Sequence, residues 1–210
     1  MRDHDADSAR RSFLRRCARV VPVALVLPRW QAGAADAQLE EPAPTPECSV
    51  GEQATPRQME GPFFKPRSPQ RTSLLEPGLR GTKMIVSGWV LSIACTPIAG
   101  ALLDFWQCDD AGEYDSSGFR LRGHQFTDSA GRYRLETIVP GIYPGRTRHI
   151  HVKAQAPGGP VLTTQLYFPG EPHNRHDFLF RPELLLATSD TAGGAAGRFD
   201  FVLNPAQSVR

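Results

Sequence analysis

Gln125-Phe126-Thr127-Asp128-Ser129-Ala130-Gly131-Arg132-Tyr133-Arg134-Leu135-Glu136-Thr137 decides the fold class. Asp128-Ser129-Ala130-Gly131 is a strong turn signal, because Asp and Gly favour the tight backbone that reverses a chain. After it the residues alternate. Tyr133 and Leu135 fall on one side, and Arg132, Arg134 and Glu136 on the other. A period of two belongs to a half-buried strand. The same grammar extends outward. Lys83 to Ile93 is β-rich through Met84-Ile85-Val86-Ser87-Gly88-Trp89-Val90-Leu91. Thr96-Pro97-Ile98-Ala99-Gly100 then turns into a second strand, Ala101 to Cys108, with Leu103, Phe105 and Gln107 on one side. His149 to Ala154 alternates again, and Leu162 to Phe168 and Gly197 to Leu203 read as two more strands. Residues 65–81 read as loop, and Glu183 to Ala187 as a short helical turn. Nineteen Gly and nineteen Pro in 210 residues suit short strands joined by turns. The expected fold is all-β, an antiparallel β-sandwich.

Charge and composition narrow the function classes. The chain carries a formal +2, with seven Arg against four Asp in residues 1–37 and 17 basic against 18 acidic groups in the rest. No basic face is implied and no nucleic-acid partner is expected. No apolar run reaches the length of a transmembrane helix. Arg10-Arg11-Ser12-Phe13-Leu14-Arg15, the apolar run Val20 to Leu27 and the small residues Ala35-Asp36-Ala37 follow one another in order. They read as a twin-arginine export signal over 1–37, which places the mature protein in the periplasm or outside the cell. Residues 38–54 read as a Pro-rich linker or arm, and 55–210 as the sandwich domain. Cys17 leaves with the signal. Cys48, Cys95 and Cys108 match no zinc spacing. Cys48–Cys95 is the expected disulfide and Cys108 the expected core thiol.

Pro140-Gly141-Ile142-Tyr143-Pro144-Gly145-Arg146-Thr147-Arg148-His149-Ile150-His151 carries the chemistry. His149 and His151 are two apart on a strand, so both imidazoles leave the same face. Tyr143 precedes them across a Pro-Gly turn, and Tyr114 follows the Trp106 strand. Two phenols with two imidazoles form a hard-oxygen and nitrogen donor set. A phenol with a pKa near 10 loses its proton at neutral pH only to a strongly Lewis-acidic ion, which favours Fe(3+) over zinc. Arg146 lies beside this set and reads as a functional cation, whereas Arg148 reads as a solvated loop charge.

These stretches resemble the intradiol ring-cleavage dioxygenases, the family of the catechol and protocatechuate 3,4-dioxygenases. The matches run in order: Gly61-Pro62-Phe63-Phe64, Trp106-Gln107 to Gly112-Glu113-Tyr114, Thr127-Asp128 through Gly131-Arg132-Tyr133, Thr137-Ile138-Val139-Pro140-Gly141, Arg146 through His151, and Thr164-Gln165-Leu166-Tyr167-Phe168. The resemblance implies a β-sandwich without organic cofactor. It implies Fe(3+) held by Tyr114, Tyr143, His149 and His151, and a catechol-type substrate cleaved with O2 to a cis,cis-muconate-type diacid. Tyr143 is implied as the ligand that leaves the metal and takes a substrate proton, Arg146 as a cation near the diol, and Gln165 as a residue packed behind the ligands. The loop between Tyr143 and His149 holds five residues, shorter than in the protocatechuate enzymes and similar to secreted relatives.

Other readings of the same residues stay open. One is a non-catalytic, metal-containing β-sandwich that binds aromatic ligands. Another is a zinc hydrolase on His149 and His151, which needs a third His or carboxylate ligand. His173-Asn174-Arg175-His176-Asp177 is read as an ordinary surface loop, with a pocket-rim role for Arg175 as the alternative, and His124 is unassigned. A homo-oligomer is compatible with the sequence, and the identity of the diol is not written in it.

Overall fold

The alternation around Tyr133 becomes strand β4 (Arg132–Ile138) in a computed structural model that describes residues 54–204. The other strands are β1 (Lys83–Ser92), β2 (Leu102–Trp106), β3 (Arg122–Phe126), β5 (His149–Gln155), β6 (Val161–Tyr167), β7 (Ala187–Thr191), β8 (Gly194–Arg198) and β9 (Phe201–Leu203). They form two sheets. One runs β4-β1-β8-β7, with β9 also paired to β1, and the other runs β3-β2-β5-β6. The sandwich expectation holds, with one qualification: β1 pairs with both β8 and β9 in parallel.

The core lies between the sheets. Val86, Leu103, Phe105, Leu135, Ile150 and Val152 are wholly enclosed there. Each such aliphatic or aromatic side chain contributes about 1.5–3 kcal/mol of transfer free energy. On β5 the inward residues are Ile150, Val152 and Ala154, so His149, His151 and Lys153 occupy the outer face of the four-stranded sheet.

The turn that opens the sequence reading forms as expected. Asp128 Oδ1 accepts the backbone N–H groups of Ala130 and Arg132, both at 2.9 Å, and Gly131 adopts φ +76°. It is not a hairpin, however, because it carries the chain from β3 in one sheet to β4 in the other. Turn chemistry specifies a reversal and leaves the pairing of the two strands open.

Several boundaries differ from the sequence reading. The second strand stops at Trp106, because Gln107 turns its amide into the interior, where Nε2 donates to the Ile138 carbonyl at 2.9 Å. The helical turn is Pro182–Leu184, and Ala187 already belongs to β7, an exposed strand with no alternation to announce it. The last run breaks into β8 and β9 at Phe199-Asp200, where Asp200 Oδ1 accepts the Trp89 N–H at 2.9 Å. Gly88 permits this break, since a Cβ there would strike the Phe199 carbonyl.

The export signal over 1–37, residues 38–53 of the linker, Cys17 and Cys48 lie outside the described residues. Cys95 is disulfide-bonded, and the expected pairing with Cys48 lies outside the described residues. Cys108 is a free, buried thiol as expected, its pKa pushed up to about 11, chiefly by burial. Among the described residues, no helix is long and apolar enough to cross a membrane.

Candidate active site

Three segments converge on the outer face of the four-stranded sheet. β5 supplies His149 and His151 at its first turn of the pleat. The loop after β2 supplies Tyr114, and the loop between β4 and β5 supplies Tyr143 and Arg146. A stretch of chain at residues 56–69 roofs them. Gln58 N–H donates to the Thr163 carbonyl at 2.8 Å, Gln165 Nε2 donates to the Met59 carbonyl at 3.0 Å, and Phe64 packs edge-on against Trp106. Gly61, at φ +73°, lies directly above His151, and a Cβ there would sit 3.5 Å from the imidazole Cε1.

The donor atoms come close together. His149 Nε2 and His151 Nε2 are 3.1 Å apart, and the Tyr114 hydroxyl is 3.3 Å from His149 Nε2. His149 Nδ1 lies 2.6 Å from the Thr147 carbonyl, so its proton resides there and the Nε2 lone pair faces the site. Trp106 stacks flat on His151, with ring centroids 4.7 Å apart and planes within 6°. Phe63 stacks in the same way on Tyr114, at 4.2 Å and 7°, and meets Tyr143 edge-on at 5.2 Å. Tyr143 is half-buried at the rim, its ring centroid 5.7 Å from that of Tyr114.

Burial sets the protonation states. Desolvation lowers the pKa of His149 to about 4, and desolvation together with the neighbouring His149 holds His151 well below the ordinary imidazole range. Both rings are neutral at pH 7, as metal ligands must be. Burial also raises the Tyr114 phenol above its usual range.

This donor set fits a metal ion. Separations of 3.1 and 3.3 Å are those of atoms that each lie about 2.1 Å from a shared centre. His151 turns Nε2 toward His149 Nε2, and its buried Nδ1 has no hydrogen-bond partner. Among the described residues no group of three His, Cys, Asp or Glu gathers, so the zinc-hydrolase reading finds no third ligand of its kind.

Behind the donors lies a polar lattice. Arg146 Nε donates to Asp177 Oδ2 at 2.9 Å, and its Nη2 donates to Gln165 Oε1 at 2.7 Å. Gln165 faces His151 across β5 and β6 and is fully buried, and Tyr167, opposite His149, donates its hydroxyl to the Leu179 carbonyl at 2.9 Å. Thr147 Oγ1 donates to Asn174 Oδ1 at 2.7 Å. The sequence reading placed Tyr114, Tyr143, Arg146, His149, His151 and Gln165, and all six gather here.

Two readings need correction. Arg148 is not a solvated loop charge: it is half-buried, paired with Glu171 at 2.6 Å, and donates to the Pro140 carbonyl. The 173–177 segment is only half a surface loop. His173, Arg175 and His176 are exposed, but Asn174 and Asp177 turn inward to the site. Nothing in the local pattern marks Asp177. Arg122 was also missed. It is 2% exposed and bridges roof and site loop, donating to the Phe63 carbonyl at 2.6 Å and the Asp115 carbonyl at 3.0 Å. A lone Arg in a strand carries no signal of such a role.

Comparison with known proteins agrees with this geometry. The dioxygenase family profile matches residues 59–205. The chain is similar to catechol 1,2-dioxygenase of Pseudomonas sp. (strain EST1001), 29% identical over 60% of this chain and 51% of that one. It is also similar to the protocatechuate 3,4-dioxygenase beta chain of Burkholderia cepacia, 34% identical over 59% of this chain and 65% of that one. The chain thus spans about half to two-thirds of the length of these relatives. Among solved structures, the dioxygenase domain of a dioxygenase carbohydrate-binding protein fusion from Streptomyces sp. SirexAA-E superposes with a TM-score of 0.72. It is 61% identical over 73% of this chain and all of that one. The chain belongs to the intradiol ring-cleavage dioxygenase family.

Proposed function

We propose that the protein is a non-haem iron(III) dioxygenase. It cleaves catechol-type aromatic diols between the two hydroxylated carbons with O2, giving cis,cis-muconate-type diacids. The observation that carries this reading is the approach of His149 Nε2 to His151 Nε2 at 3.1 Å and to the Tyr114 hydroxyl at 3.3 Å, in a chain of this family. Tyr114, Tyr143, His149 and His151 are the proposed ligands. When bound, ferric iron withdraws charge from the chelated diolate and so opens a ring carbon to dioxygen.

The chain's own groups supply the rest. A catechol must lose two protons to chelate: the Tyr143 oxygen, at the half-buried rim, is placed to take one, and the other passes to solvent. Arg146 is held at Nε and Nη2, which leaves Nη1 to stabilise the electron-rich substrate. Phe63, Phe64 and Trp106 exclude water from the donors and offer an apolar wall for the ring.

The decisive measurement is the visible spectrum of the purified protein with and without catechol in the absence of oxygen, together with metal analysis. A tyrosinate-to-iron charge-transfer band that shifts on adding catechol, followed by muconate formation with O2, is the expected result. A colourless, metal-loaded protein would overturn the reading and leave a binding module. We also propose export by the twin-arginine route. The signal-like segments of residues 10–37, in their sequence along the chain, support it, as does the disulfide at Cys95, since such bonds persist in oxidising compartments.

A further inference from the structure

Asp177 touches the machinery from behind, as the carboxylate paired with Arg146. Its side chain is 1% exposed. Oδ2 accepts both the Arg146 Nε at 2.9 Å and the Thr147 backbone N–H at 2.8 Å, and Oδ1 accepts the Leu179 N–H at 2.9 Å. Thr147 in turn presents the carbonyl, 2.6 Å from His149 Nδ1, that sets the tautomer of that ring. Asn174, three residues earlier, fastens the Thr147 hydroxyl to the same segment. One buried charge therefore reaches two functional side chains by separate routes.

We propose that Asp177 is a positioning residue for ring cleavage, aiming the Arg146 guanidinium at the bound diol and holding Thr147 so that His149 presents Nε2. The proposal rests on the ring-cleavage reading. An arginine with five N–H donors on a flexible stem has many orientations. Pinning Nε to Asp177 and Nη2 to Gln165 fixes the guanidinium plane and leaves the Nη1 edge without a protein partner. Burial of the carboxylate excludes the waters that would otherwise compete for those donors. Partners that orient ligand imidazoles from outside commonly change metal affinity or activity 10- to 100-fold when altered.

The test compares Asp177→Asn, Arg146→Ala and the double variant with the parent protein. Iron content, anaerobic catechol titration of the visible band, and thermal midpoint of the metal-free protein are measured for each. Asp177→Asn should bind catechol about 10- to 100-fold more weakly and shift the diol-free band. Added to Arg146→Ala, it should weaken catechol binding by clearly less than it does in the parent, because the route through Arg146 is gone and only that through Thr147 and His149 remains. A merely structural role would lower the thermal midpoint and multiply its effect on catechol affinity with that of Arg146→Ala, which overturns the proposal. Should Asp177→Asn fail to fold, Asp177→Glu keeps the charge and shifts it by one methylene, and the same weakening is expected. A glutamate variant with parental catechol affinity also overturns it. A parent protein without a catechol-induced shift defeats the ring-cleavage reading itself, whereas a shifting parent with an unaltered Asp177→Asn titration defeats this inference alone.

Discussion

Gly141 holds the two tyrosine loops together, and replacing it with alanine should separate them. The loop that carries Tyr114 and the loop that carries Tyr143 meet where Gly141 N–H donates to the Asp109 carbonyl at 2.6 Å and Gly112 N–H donates to the same oxygen at 3.1 Å. A Cβ on Gly141 would lie 2.6 Å from the Asp110 carbonyl oxygen and 2.9 Å from that of Asp109, and would meet the Gly112 nitrogen as well. Ordinary contact begins near 3.4 Å and the Gly112 nitrogen is the nearest of these atoms, so the loops must part by about 1 Å. All the opposing atoms are backbone, and no flexible side chain can give way. Overpacking of this kind costs about 1–3 kcal/mol, or about 2–12 °C of thermal midpoint for a domain of this size. Misplacement near 1 Å costs about a hundredfold in rate, so kcat/KM should fall by one to two orders of magnitude. The assay pairs thermal unfolding with the charge-transfer spectrum and turnover of catechol. Gly193→Ala is the control, since nothing lies within 4 Å of a Cβ there. A Gly141→Ala protein with the parent's midpoint and spectrum would refute the argument that this backbone contact sets the spacing of the tyrosines.

Three further outcomes are expected. Tyr143→Phe should keep its iron through the three remaining donors and turn over about a hundredfold more slowly or worse, having lost the base; an unchanged rate in a stopped-flow assay contradicts that role. His149→Ala should purify without stoichiometric iron, as measured by metal analysis, since it removes the Nε2 shared by both short separations. The metal-free protein should lose stability as pH falls. His149 has its pKa lowered to about 4 in the folded chain against about 6.5 unfolded, so the unfolded state binds the proton first. That group alone removes about 2 kcal/mol between pH 7 and pH 5, and urea unfolding of the chelated protein at the two values that gave equal free energies would rule it out.

The parts of the fold legible in the sequence are those where local chemistry decides. Tyr133 and Leu135 alternate because one face of β4 meets the core, and Asp128 and Gly131 mark a turn because their side chain and backbone build it. β7 was illegible because all five of its residues are exposed, leaving no apolar period to read. The parallel pairing of β1 with β8 and β9 was equally hidden, being a long-range choice made by Gly88 and Asp200. In the site, His149 and His151 were readable from strand period, and Tyr114, Tyr143, Arg146 and Gln165 from family motifs. Asp177 and Arg122 were not, because Asp177 meets Arg146 and Thr147 from 30 or more positions away and Arg122 reaches the Phe63 carbonyl from 59.

The position of the site follows from the same period that builds the strand. His149 and His151 must share a face opposite Ile150, Val152 and Ala154, and those three are committed to the core. The imidazoles are thereby placed where a second sheet cannot cover them. Residues 56–69 take over that task, with the Gly61 backbone above His151 and the Phe63 ring against Tyr114. Coverage by a loop instead of a sheet leaves a rim, and Tyr143 stands at it, half-buried, where the proposed exchange with a diol would require it. Burial has a second consequence. It keeps both imidazoles neutral while making the Tyr114 phenol harder to ionise than a free one. A weak Lewis acid would gain the nitrogens but would not displace that phenolic proton. The proposed ferric ion would have the charge to do so.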